Sequence, residues 1–224
     1  MGFRSLALAG ILLSLQGCGL SDPGVVLYPS PHDGARDVLS LAFQQRITLP
    51  DNFVLRPDEY AGVATDHRRG LLYVGGREGT LLALDGNNGA VVWERPFVGE
   101  ISSVPVLLPE EDLLLFGTDN GEFIALDLET QEPRWVYETA GTVRAQPLIQ
   151  GGLVYFTNSR DQVYALDVAT GDWRWQYPTE SELPTDFTVY GRAGLSYKPL
   201  GDGSTGDGIL YTGFDDGRIV ALGA

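Results

Sequence analysis

"LLYVGGREGTLLALDGNNGAVVW" runs from Leu71 to Trp93, and the order of its residues decides the fold. An apolar run of strand length leads into a glycine turn. A second apolar run then ends at Asp85, and another turn, centred on Gly89, leads to Trp93. The same order returns as "LLLFGTDNGEFIALDLETQEPRW" at 113–135 and as "LVYFTNSRDQVYALDVATGDWRW" at 153–175. Asp85, Asp127 and Asp167 lie 42 and 40 residues apart, and Trp93, Trp135 and Trp175 each stand eight residues beyond. A partial fourth copy, "ILYTGFDDGRIVALGA", occupies 209–224. Self-similarity at this period marks an array of equivalent supersecondary units.

Each unit resolves into four short strands. A segment carrying Pro105, Pro147 or Pro199 comes first, and the run typified by "LLYVGG" second. A hairpin turn ("REG", "DNG", "SRD" or "DDG") has Gly or Asp where positive φ is needed. The third strand, "TLLALD" or its equivalent, is apolar on both faces, as suits a sheet covered on both sides. The tryptophan strand is the fourth. No segment beyond the N-terminal twenty residues shows a sustained helical stripe. Four strands per unit of about forty residues predicts an all-β chain of four-stranded antiparallel β-propeller blades. The blades fall near 59–96, 101–138, 143–178 and 193–224, about 3.75 in all, within a domain spanning 39–224.

The repeated residues first call for structural roles. Asp85, Asp127 and Asp167 can accept backbone N–H groups of the turn that follows each. Trp93, Trp135 and Trp175 recur once per unit, as side chains filling the wedge between neighbouring blades would. Trp173 is an additional aromatic outside the pattern. The spacing breaks once, because Asp167 and its counterpart Gly223 are 56 residues apart. The insertion, between Tyr177 and Ile209, contains "TESELPTDFTVYGRAG" and "GDGSTGDG". Long loops in compact domains often carry function, so this is the segment to search for partner contacts. "GDGSTGDG" lacks the spaced ligands and closing glutamate of an EF-hand and reads as a turn.

The chain's single cysteine excludes an internal disulfide framework. It follows "MGFRSLALAGILLSLQG", in which Arg4 precedes an apolar run from Leu6 to Leu15, too short to span a bilayer. Residues 1–17 read as a signal peptide and Leu15-Gln16-Gly17-Cys18 resembles a bacterial lipobox, with Cys18 the lipidated residue. The alternative is a buried cysteine in an ordinary N-terminal helix. In lipoproteins the residue after the cysteine biases sorting, and Gly19 favours the outer membrane. Residues 18–38, rich in Pro, Gly, Ser and Asp, read as a tether. The net charge of −15 excludes nucleic acid as a partner, and Lys198, the only lysine, leaves no polybasic patch. Two distant histidines, His32 and His67, do not suggest a metal site, and no nucleophile–base–orienter set is visible.

At "GREGTLLALDGNNGAVVW" and "QVYALDVATGDWRW" the sequence resembles the PQQ-like propeller repeat, through its glycine turn, Ala-Leu-Asp, Thr-Gly and trailing tryptophan. The resemblance covers roughly residues 59–224 and identifies a repeat that serves enzymes and scaffolds alike. Quinoprotein dehydrogenases of this type hold PQQ over calcium. The chain lacks their adjacent-cysteine pair and the haem-attachment Cys-x-x-Cys-His, so a dehydrogenase fragment is the weakest reading and no cofactor is expected. BamB-like lipoproteins join a lipobox to the same repeats, bind no quinone and serve the β-barrel assembly machinery. The resemblance thus implies a non-enzymatic, periplasm-facing scaffold anchored on the outer membrane by lipid, in contact with envelope proteins. A periplasmic ligand- or glycan-binding sensor is the alternative.

The fourth copy has Gly223 where the others have aspartate, and no tryptophan follows. A fragment of a longer propeller is the expectation. The segment "LSLAFQQRITLP" at 39–50 is a candidate for a missing outer strand that would close a four-blade ring, and two half-arrays could instead pair into eight blades as a homodimer.

Overall fold

The computed structural model describes residues 42–44, 62–177, 194–200, 208–214 and 217–223, all within one unit, Leu41–Ala224. Cys18, His32, the tether and most of the insertion lie outside these residues. Four antiparallel sheets follow one another along the chain, each in simple sequential order. Blade 1 comprises β1 (Val63–Asp66), β2 (Leu71–Gly75), β3 (Thr80–Asp85) and β4 (Val91–Pro96). Blade 2 comprises β5 (Val106–Leu108), β6 (Leu113–Gly117), β7 (Glu122–Asp127) and β8 (Pro133–Glu138). Blade 3 comprises β9 (Leu148–Gln150), β10 (Leu153–Thr157), β11 (Val163–Asp167) and β12 (Trp173–Tyr177). Blade 4, as described, has three strands: β13 (Ser196–Pro199), β14 (Gly208–Gly213) and β15 (Ile219–Gly223). The chain is an all-β, partial β-propeller. Pro105 and Pro147 stand just before their strands, where the missing N–H breaks no ladder bond.

Side chains alternate across a strand, so each blade has two faces. One face of blade 1, with Tyr73, Leu81 and Ala83, packs against Leu114, Phe116, Ile124 and Leu126 of blade 2. The opposite face of blade 2, with Leu115, Phe123 and Ala125, meets Val154, Phe156, Tyr164 and Leu166 of blade 3. Tyr155, Val163 and Ala165 of blade 3 then meet Leu210, Val220 and Leu222 of blade 4. The face toward the following blade is called trailing here, and the face toward the preceding one leading. This is why the centres of β3, β7 and β11 are built of aliphatic and aromatic side chains: both faces are buried. The middle core is the most aromatic, with Phe123 stacked on Phe156 at 4.1 Å and Phe156 on Tyr164 at 5.2 Å.

Repeated hydrogen bonds set the spacing of the blades. The connector leaving each of the first two blades clips to that blade's hairpin, through Phe97 N–H to the Gly79 carbonyl and Thr139 N–H to the Gly121 carbonyl, both at 2.8 Å. The next hairpin then donates to that connector, Asp119 N–H to the Glu100 carbonyl and Ser159 N–H to the Thr142 carbonyl, again at 2.8 Å. Glycine is required for this closeness. A Cβ on Gly121, whose φ is +89°, would lie 2.6 Å from the Thr139 carbonyl oxygen, and one on Gly79 equally close to the Phe97 oxygen.

Blade 3 breaks the rule at two positions. Asp161, with φ of 57°, stands where Gly79 and Gly121 stand, and Thr157 stands where Gly75 and Gly117 lie against Ile101 and Val143. Both positions therefore carry a side chain where the first two blades have none. The sequence insertion falls in that same connector.

Candidate functional site

The repeated aspartates close the turn between third and fourth strands. Asp85 Oδ1 accepts N–H bonds from Asn87 and Asn88, Asp127 Oδ1 from Glu129 and Thr130, and Asp167 Oδ1 from Ala169 and Thr170. Midway in these turns Gly89, Gln131 and Gly171 have φ of 73°, 60° and 76°. In each of these blades the fourth strand bulges opposite the Ala-Leu of the third: Ala125 pairs with Trp135 but Leu126 with Pro133, and Ala165 with Trp175 but Leu166 with Trp173. The bulged residues are Arg134 and Arg174. The bulge re-aims each guanidinium at the other carboxylate oxygen, at 2.6 Å to Asp127 and 2.8 Å to Asp167. In blade 1 the bulged residue is Val92. The Thr130 N–H and the Arg134 guanidinium push the Asp127 carboxyl down to about 2. Arg174, then the Thr170 N–H, lower Asp167 in the same way. The signal was present in the sequence as the arginine before Trp135 and Trp175.

The tryptophans sit between blades. Trp135 Nε1 donates to the Val168 carbonyl of blade 3 at 3.1 Å, and a Cβ built on Gly171 would lie 2.7 Å from its ring. Trp93 tilts against Tyr73 and Trp175 against Tyr155, both at 5.8 Å. At Gly89, which has no preceding blade among the described residues, the Phe43 ring takes the corresponding place, 2.5 Å from a Cβ built there.

Two charged clusters tie neighbouring blades. Asp119 in the blade 2 hairpin accepts from Ser102 Oγ at 2.5 Å and Arg144 Nε at 2.9 Å, and its second oxygen pairs with Arg144 Nη2. Arg68 and Arg69 of blade 1 reach Asp112 of blade 2 at 2.5 and 3.0 Å. Arg69 also pairs with the buried Asp66 at 3.1 Å. Burial disfavours the charged form of Asp66, but bonds from Arg69 and the Arg68 N–H outweigh it and hold its carboxyl below the ordinary range. Burial, with the neighbouring Asp66 charge, pushes Tyr73 up to about 12, and burial does the same to Tyr164. These groups are engaged in bonds within a blade, as Asp66 is with Arg69 and Tyr73, or between blades, as Asp112 is with Arg68 and Arg69. Among the described residues no three His, Cys, Asp or Glu side chains gather as metal ligands would, and His67 is exposed in a turn.

What the described surface does offer is open strand edge. β4, β8 and β12 are the outermost strands of their sheets, and each presents apolar groups to solvent: Val91 and Val92, Val136, Trp173 and Tyr177. Trp173 is 55% exposed, unlike the three wedge tryptophans. Unpaired backbone beside apolar side chains is suited to an added extended strand. These edges are the candidate site.

A family model described as "Outer membrane protein assembly factor BamB" matches residues 54–111 and 106–224. A protein of that description from Alteromonas naphthalenivorans is 31% identical over 100 residues, 37% of this chain and 24% of the relative. The crystal structure of BamB from Moraxella catarrhalis superposes with a TM-score of 0.54 at 22% identity, covering 73% of this chain and 46% of that one. A europium-containing methanol dehydrogenase superposes with a TM-score of 0.58 at 16% identity, covering 72% of this chain and 39% of that one. The likeness to both structures is one of fold. The chain spans less than half the length of these proteins.

Proposed function

The chain belongs to the outer membrane protein assembly factor BamB family, and on that premise we propose that it is a non-enzymatic scaffold serving assembly of outer-membrane β-barrel proteins. The observation that carries this reading is the family match across the blades. It agrees with the repeated polar groups of the described blades being spent on turns and junctions rather than gathered as a reacting set. In this proposal residues 1–17 are removed, Cys18 carries the lipid that anchors the chain on the periplasmic side of the outer membrane, residues 18–38 form the tether and 39–224 the propeller domain. Contact with the β-barrel assembly machinery is assigned to the third connector, where the insertion lies. The glycine replacements Thr157 and Asp161 support that assignment. The open edges β4, β8 and β12 are assigned to extended substrate chains.

Affinity purification of the tagged chain from detergent-solubilised envelopes tests the reading. A protein of the barrel-assembly machinery is expected to co-purify with the wild-type chain, and Cys18→Ser is expected to lose acyl labelling and leave the outer-membrane fraction. Repeated recovery of no assembly component or outer-membrane protein overturns the role, and unchanged acylation of Cys18→Ser overturns the anchor.

A further inference from the structure

The outer rim between blades 2 and 3 differs in charge from the rim between blades 1 and 2. In the first groove Arg95, opposite Leu81 on the trailing face of blade 1, crosses to Glu132 in the blade 2 turn and pairs with it. Register locates the equivalent positions in the second groove. Tyr137 stands opposite Phe123 as Arg95 stands opposite Leu81. Asp172 takes the place of Glu132, since its carbonyl accepts from Asp167 N–H as the Glu132 carbonyl accepts from Asp127 N–H. The second groove thus keeps the acid and lacks the arginine. The Tyr137 ring packs edge-to-face against Phe156 and Tyr164. Among the described residues the Asp172 carboxylate accepts only from Thr170 Oγ1, at 2.8 Å.

The same groove holds the tryptophan that falls outside the repeat. Trp173 pairs with Leu166 on the leading face of blade 3, the face turned to blade 2, and it directly follows Asp172. Blade 2 has Pro133 at this position. An indole that is 55% exposed leaves much of its surface in water, so packing alone does not account for it. Each wall of the groove belongs to a blade with another described blade on its far side. The openness of this groove is therefore its own property.

We propose that this groove binds an arginine of a partner protein, carried on an extended segment that lies along β12. The guanidinium stacks on the Trp173 indole and pairs with the Asp172 carboxylate, supplying from outside the cation that Arg95 supplies to the first groove. Arginine suits both contacts, because its planar cation stacks on aromatic faces and bonds a carboxylate through several N–H donors. Arg174 does not oppose it. Arg174 is paired with Asp167, and in blade 2 the same arrangement, Arg134 with Asp127, stands beside a Glu132 that does hold an arginine. The net charge of −15 draws a cationic segment from a distance. The proposal deepens the assignment of β12 to extended chains, and it rests on that reading for the origin of the segment, not for the binding itself.

The test uses the full chain purified in detergent and a dye-labelled peptide, Thr-Val-Thr-Arg-Thr-Val-Thr with blocked ends, followed by fluorescence anisotropy. Saturable binding is expected. Replacing the peptide's arginine with citrulline, which keeps the shape and loses the charge, is expected to weaken binding about tenfold. Asp172→Asn is expected to do the same, and Trp173→Ala to weaken it about threefold. Both positions are exposed, and circular dichroism checks that the fold is kept. Glu132→Gln removes the same charge from the groove that is already filled and is expected to leave peptide binding unchanged. Four results overturn the site: no saturable binding, equal binding of the citrulline peptide, indifference to Asp172→Asn or to Trp173→Ala, or weakening by Glu132→Gln as large as by Asp172→Asn. Co-purification of assembly components without peptide binding overturns this site alone, and peptide binding without co-purification overturns the assembly role alone.

Discussion

Asp127 shows how much one repeated side chain does. It accepts two turn N–H groups through one oxygen and Arg134 through the other. Charge-assisted bonds of this kind exceed neutral ones, while an exposed ion pair alone contributes little. Asp127→Asn is therefore expected to lower unfolding stability by about 1–2 kcal/mol, most of it from the turn bonds. Its pH signature has a definite sign. The folded-state value is depressed to about 2 from the ordinary 3.8, so the unfolded chain binds the proton more readily. The contribution is complete above about pH 4 and is lost as pH falls through about 2. Denaturant titrations from pH 5 to pH 2 should show a shallower fall for Asp127→Asn than for wild type. An equally steep fall in the variant would show that the carboxylate does not carry this stability. The aspartate and its turn were legible from the fixed spacing to the tryptophan. The arginine was not, because the bulge that aims it is a property of strand pairing and leaves no mark in periodicity.

The elements followed from the sequence closely where local patterning and burial agree. "EFIALD" and "QVYALD" are apolar on both faces because each lies between two blades, "TLLALD" is buried on both faces as well, and all three hairpins carry a positive-φ residue at the same place. The connectors were less legible. Nothing in "TDNG" announces that Gly121 must admit a carbonyl from residue 139, since that contact is made by a segment eighteen positions away. Gly121→Ala combines a left-handed backbone with a blocked approach and is expected to cost about 1–3 kcal/mol, read as a fall in Tm. Asp161→Ala is expected to lack the approach penalty, because the residue it replaces already carries a Cβ at that position. Equal losses at the two positions would contradict the need for glycine at the close approach. The replacements Thr157 and Asp161 stood in the sequence all along, but only the packed glycines of blades 1 and 2 give them meaning.

At the level of the whole molecule, the array was readable and its task was not. A blade's core and turns use the same residues whether the propeller serves an enzyme or a scaffold, so function has to come from family membership and from the surfaces left open. Among the described residues those surfaces are the outer edges, with Val136 and Trp173 exposed; the insertion between blades 3 and 4 is a candidate from the sequence. The most direct measurement is photo-crosslinking in intact envelopes, with a photoreactive residue placed in turn at Trp173, at Val136, within the insertion at Glu182 and, as a control, at the solvated turn residue Asn87. The expected result is a discrete adduct with a barrel-assembly protein from Glu182 and adducts with outer-membrane protein chains from Trp173 and Val136, with none from Asn87. Absence of adducts at all three sites, or the same adducts from Asn87, would contradict the scaffold.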